Sequence, residues 1–184
     1  MPTRPRRREP PIPVLDALTG TEPATVLAEL LASHPDLRPE AEQVARQLLG
    51  DAAVEAVADD VAWALEAIPL EDLAGRAGRV RGRGYVHENE AAWELIGEVI
   101  EPFLTDLSRR AGLALMDAAA AIAIGIVAGL YQTREPEDGT VVAYAGPDAL
   151  TELADEVINE ATKLGVALPP DAADHYWPEW SSLG

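Results

Sequence analysis

Apolar residues recur at three- and four-residue steps along most of the chain from about Glu22 onward. That spacing is the period of an α-helix with one buried face. Prolines and glycines interrupt the pattern at points such as Pro35, Pro69, Gly112 and Gly165, where helices commonly start or end. We therefore predict an all-α fold of about six helices, arranged as a compact bundle or a short, solenoid-like stack of helical hairpins.

Several segments carry more local predictions. Asp51 is placed to cap the helix that ends before Pro69. Pro102 lies inside a helical pattern that runs from about residue 88 to residue 110, where a proline should kink or divide the helix. The segments 76–85 and 135–147 lack the helical period, so we predict loops for both.

The segment 113–131 is apolar nearly all round, which is typical of a central helix surrounded by others. It is almost long enough to span a bilayer. Asp117 lies within it, however, and much of its apolar content is alanine, so we favour a buried helix of a soluble bundle. Gly125 and Gly129 lie four residues apart, a spacing that lets neighbouring helices approach closely.

The chain divides by composition into three parts. Residues 1–20 form an arginine- and proline-rich arm, residues 21–166 a single all-α domain, and residues 167–184 an aromatic C-terminal tail. Residues 70–78 resemble residues 104–112 at an offset of 34, which would suit repeated helical hairpins. Two copies leave open whether this is a true repeat.

Charge narrows the choice of partners. Fourteen Lys and Arg residues face 32 Asp and Glu residues, for a formal net charge of -18. A surface this acidic repels phosphate backbones and anionic membranes, so we expect a protein partner with a basic surface, or a second copy of this chain, and no membrane. The absence of cysteine excludes disulfides and thiolate chemistry, and we expect a cytoplasmic location.

Two groups of residues are candidate binding sites. The first is a glycine-rich cationic segment, whose side chains are able to hold phosphates and stack on a base, or else to neutralise acids of the chain itself. Its members are Arg76, Arg79, Arg81, Arg83 and Tyr85. The second is the aromatic cluster Tyr176, Trp177 and Trp180, which either docks into a partner or packs onto the parent domain.

The sequence contains few of the residue patterns that are typical of enzymes. No nucleophile elbow, phosphate loop, dinucleotide fingerprint or zinc-binding helix motif is present, and we predict no metal and no cofactor. Asp117 is the one candidate acid, because a carboxylate in an apolar helix would have a raised pKa if it were buried. The other interpretation is that Asp117 lies in the first turns of its helix and is solvated or paired.

The sequence thus favours a non-enzymatic protein–protein interaction module, an adaptor or regulatory subunit. The first alternative is nucleic-acid or nucleotide-phosphate binding through the segment 76–83. The second is an enzyme or ligand-binding bundle that uses Asp117.

Overall fold

The computed structural model describes residues 13–80, 82 and 84–180, with the backbone but not the side chain of Val80. Of these residues 74% are helical, which confirms the predicted all-α class. The α-helices of the described part are α1 (Glu22–Ser33), α2 (Arg38–Gly50), α3 (Val54–Glu66), α4 (Leu70–Arg76), α5 (Glu88–Gly112), α6 (Met116–Gln132), α7 (Val141–Ala145), α8 (Ala149–Lys163) and α9 (Ala172–Tyr176). Short 3-10 turns occur at Val14–Ala17, Pro35–Leu37 and Pro178–Trp180, and strands β1 (Gly78–Val80) and β2 (Gly84–Val86) form an antiparallel hairpin.

The chain divides between Ala45 and Arg46 into two compact units. The described part of the first unit contains α1 and most of α2, and none of its residues is buried. The apolar stripe of α1 was expected to face a core, yet Val26, Leu27 and Leu30 are exposed. All the buried residues of the described part therefore belong to the second unit.

The core of the second unit is built around α6. Twelve of the seventeen residues of α6 are buried, and the helix packs against α3, α5 and α8. This arrangement confirms the prediction of a central helix, because a helix covered on all sides has no polar face to present to water.

Two glycines set the contact between α6 and α3. A Cβ atom added at Gly125 would lie 2.5 Å from the Cβ of Val57, and one added at Gly129 would lie 2.7 Å from the carbonyl oxygen of Ala58. Gly129 also faces Val61, so the contact advances in the same direction along both helices and the two run parallel. The absence of side chains on α6 at these points allows the two backbones to approach closely.

The predicted helix cap at Asp51 was wrong, and the predicted division of a helix at Pro102 does not occur. Asp51 does not cap α3, because the helix begins at Val54 with Ala53 as its N-cap and without a capping side chain. Pro102 does not divide α5, which continues through it to Gly112. Pro102 lies on the exposed face of α5, where water is able to bind the carbonyl group that loses its helical partner.

The two predicted loops contain short regular elements instead. The first contains the β1–β2 hairpin. The second contains α7, whose Val141, Val142 and Ala145 are buried. α7 has five residues, too few to display a helical period, and packs mainly against α5. The 34-residue echo is not a structural repeat, since 70–78 covers α4 and the start of β1 whereas 104–112 is the last part of α5.

Candidate interaction surface

Arg76, at the end of α4, is neutralised by an acid of the chain itself. Its guanidinium donates two hydrogen bonds to the carboxylate of Glu98 on α5, at 2.6 and 2.7 Å. This paired hydrogen bonding raises the pKa of Arg76 and lowers the pKa of Glu98. For this arginine, the structure agrees with internal neutralisation, and two of the guanidinium donors are already used by Glu98.

Two other members of the cationic segment lie in the described strands of the hairpin. Arg79 lies directly opposite Tyr85 in the antiparallel register, so both side chains project from the same face of the hairpin. Both are exposed, and the ring of Tyr85 meets the ring of His87 edge-on at 5.1 Å. Arg81 and Arg83 lie outside the described residues. The hairpin therefore presents at least one cation beside an aromatic ring.

The aromatic tail packs onto its own unit. Trp177 is 2% exposed and is part of the hydrophobic core. Tyr176 is half-buried, and its hydroxyl donates a hydrogen bond to the Oε1 atom of Glu55 at 3.5 Å. Burial and the nearby charge of Glu55 raise the pKa of Tyr176.

The last described residues of the tail, Glu179 and Trp180, contact α6 and the residue Arg134 that follows it. The ring of Trp180 meets that of Tyr131 edge-on at 5.1 Å. Arg134 lies over the Tyr131 ring at 3.9 Å and forms an ion pair with Glu179 at 3.2 Å. Both tryptophans of the cluster, Trp177 and Trp180, thus contact the rest of the unit, and the burial of Trp177 leaves it inaccessible to a partner.

Asp117 is not a buried acid. It is exposed in the first turn of α6, where the positive end of the helix dipole favours a carboxylate. The arginines that flank α6 in the sequence have other partners: Arg109 and Arg110 bind Asp106, and Arg134 binds Glu179. Asp117 lines an open cleft of about 500 Å³, and no group of three metal-binding side chains occurs among the described residues.

Asp106 on α5, by contrast, accepts hydrogen bonds from two arginines, Arg109 and Arg110, and the three form one charged group. Burial works to raise the pKa of Asp106, but hydrogen bonds from Arg109 and Arg110 outweigh it and hold that pKa below its ordinary value. Arg110 also donates a hydrogen bond to the carbonyl oxygen of Leu49. The group therefore connects α5 to the end of α2.

Because its pKa is lowered in the folded state, Asp106 contributes stability above its unfolded-state pKa and loses it as the pH falls through the folded value. We expect Asp106→Asn to lower the free energy of unfolding by about 0.5–1 kcal/mol near neutral pH. The difference from the parent chain should shrink towards about pH 3, as the carboxyl protonates. Urea denaturation of both chains, near neutral pH and at about pH 3, measures this difference in the free energy of unfolding. A difference that does not change with pH would contradict the lowered pKa of Asp106.

Trp63 is a surface residue that the sequence analysis did not single out. It lies on α3 opposite the buried positions of that helix and is 72% exposed. Its neighbours at helical spacing are Asp59, Asp60 and Glu66, all exposed. The sequence contains an indication of this exposure, because Trp63 falls outside the apolar stripe of α3.

An acidic cleft adjoins this face. It has a volume of about 400 Å³ and is lined by Glu66, Glu135 and Glu137, among others. The parallel helices α3 and α6 end beside it, so their last carbonyl groups add to the negative potential. The surface around the end of α3 is thus suited to cations.

The described residues form an all-α helical bundle in which Trp63 is exposed beside the carboxylates of α3. No protein-family model, no curated protein and no solved structure matches the chain. None of the described helices is both long enough and apolar enough to cross a membrane.

Proposed function

We propose that this chain is a non-enzymatic protein–protein interaction module, an adaptor or regulatory subunit of the cytoplasm, whose acidic surface binds a protein with a basic surface. The observation that supports it is the arrangement of charge. Five of the described cations are engaged in ion pairs with acids of the chain: Arg76, Arg109, Arg110, Arg134 and Lys163. Five of the eight Lys and Arg residues in the described part are therefore engaged, and the described acids far outnumber the described cations.

An acidic surface of this kind attracts a basic partner before contact is made. Complementary charge speeds the encounter and disfavours partners of the same sign. Between exposed groups the attraction is screened by salt over about 10 Å at 0.1 M ionic strength. Binding that depends on this surface must consequently weaken as salt is added.

The test uses the full chain and two labelled peptides, one of alternating arginine and serine and one of alternating glutamine and serine. We expect fluorescence anisotropy to show binding of the arginine peptide only, weakening about tenfold or more between about 0.05 M and about 0.3 M salt. The glutamine peptide controls for sequence-independent adhesion. Equal binding of both peptides, or binding of neither at low salt, would contradict the proposed function.

A second candidate function is nucleic-acid or phosphate binding at the hairpin. It is favoured by one observation, the placement of Arg79 directly opposite the exposed Tyr85. In the same assay, a labelled single-stranded oligonucleotide replaces the peptide, and Arg79→Ala and Tyr85→Ala are compared with the parent chain. A loss of affinity for the oligonucleotide of about threefold or more in both variants would support this candidate. If the parent chain did not bind the oligonucleotide, this candidate would be excluded.

A further inference from the structure

The exposure of Trp63 is unusual for so large an apolar side chain. The other side of α3 is used for packing, because Ala58, Val61 and Leu65 are buried in the core. Trp63 contributes little to that core and keeps most of its ring in contact with water. Tryptophan is among the residues that most often carry binding energy in protein interfaces.

The surroundings of Trp63 indicate what such an interface would bind. Asp59 and Asp60 precede it by four and three residues, and Glu66 follows by three, so all three lie on its side of the helix. α3 contains no lysine or arginine. An apolar partner would have to remove these carboxylates from water without compensation, and a nucleic acid would be repelled by them.

A basic side chain satisfies both parts of this surface. A guanidinium group is planar, stacks on an aromatic face and donates up to five hydrogen bonds to carboxylates. An ammonium group is a compact, strongly hydrated charge and matches the combination less well. The adjoining cleft with Glu66, Glu135 and Glu137 provides room for a further cationic residue of the same segment.

We infer that the exposed face of α3, formed by Trp63 with Asp59, Asp60 and Glu66, is the docking site for an arginine-bearing extended segment of another protein. An arginine side chain of that segment stacks on the Trp63 indole, and the flanking carboxylates accept its hydrogen bonds. This assignment rests on the proposed function, since it names the site at which the basic partner binds.

The first experiment replaces the indole in the full chain. Trp63→Ala should weaken binding of the arginine–serine peptide about threefold to tenfold, and binding of the matching lysine–serine peptide less. Tyr144→Ala is the control, because Tyr144 is also exposed but lies on α7. Circular dichroism verifies that both variants are folded. An equal effect of the two substitutions, or an equal effect on both peptides, would overturn the assignment.

The second experiment separates a local site from the general charge of the chain. Asp59→Asn/Asp60→Asn removes two charges beside Trp63, and Glu152→Gln/Glu156→Gln removes two from α8. We expect the α3 variant to lose at least threefold more affinity for the arginine peptide than the α8 variant. Equal losses would overturn the docking site while leaving the proposed function intact. Failure of the parent chain to bind the peptide would instead contradict the proposed function itself.

Two other possible occupants of this face are the chain's own arm and a second copy of the chain, and each has its own test. Replacing the arginines of the arm by glutamine in the full chain tests whether the arm covers the face; these are Arg4, Arg6, Arg7 and Arg8. An increase in peptide affinity of threefold or more would show that the chain covers its own site. A lower oligomeric state of Trp63→Ala in sedimentation experiments would show that a second copy does. Either result would contradict the assignment of this face to another protein. An unchanged peptide affinity together with an unchanged oligomeric state would support it.

Discussion

Gly129→Ala is expected to lower the free energy of unfolding by about 1–3 kcal/mol, even though alanine is the better helix former. The added Cβ atom would lie 2.7 Å from the carbonyl oxygen of Ala58 and equally close to the Cβ of Val61. Neither atom is the end of a flexible side chain, so α3 and α6 must move apart to accommodate the methyl group. That movement weakens a contact at the centre of the core.

The matched control is Gly97→Ala in α5. Gly97 also lies inside a helix, but a Cβ atom added there meets nothing within 4 Å. We expect this substitution to raise the free energy of unfolding by about 0.5–1 kcal/mol, because it removes only the conformational freedom of glycine. Urea denaturation measures both variants. If Gly129→Ala were as stabilising as Gly97→Ala, close approach of α3 and α6 would not be a requirement of this fold.

The features of the fold that were predictable are those determined by long local patterns. α6 could be placed at the centre because its apolar residues cover the whole helix and leave no solvent face. α7 and the β1–β2 hairpin could not be predicted, because five- and three-residue elements are too short to show a period. Their conformations depend on what they contact, as α7 does on α5.

The candidate site was predictable only in part. Internal neutralisation of the cationic segment could be anticipated from composition, but the partner of Arg76 is Glu98, 22 residues away on another helix. Such a pair depends on tertiary packing. Trp63 could have been identified, because its position relative to the stripe of α3 already predicted exposure. The burial of Trp177 could not, since an aromatic residue near a chain end has the same sequence signature whether it packs internally or docks elsewhere.

Replacing Trp177 should produce the largest loss of stability considered for this chain. Trp177→Ala removes a side chain that is 2% exposed and part of the core, so we expect a decrease in the free energy of unfolding of about 3–5 kcal/mol. Trp177→Phe should cost much less than that. The Nε1 group of Trp177 is buried without a hydrogen-bond partner among the described residues, and phenylalanine removes this unsatisfied donor while keeping most of the apolar contact.

Trp180→Ala is the control within the same segment, because Trp180 is only half-buried and contacts Tyr131 at the edge of the core. Its loss should be less than half that of Trp177→Ala, and thermal or urea denaturation of the full chain compares the two directly. A result in which Trp177→Ala unfolds at the same urea concentration as the parent chain would mean that the tail does not pack onto its own domain. Trp177 would then again be a candidate for docking into a partner, because its burial is the only argument against that role.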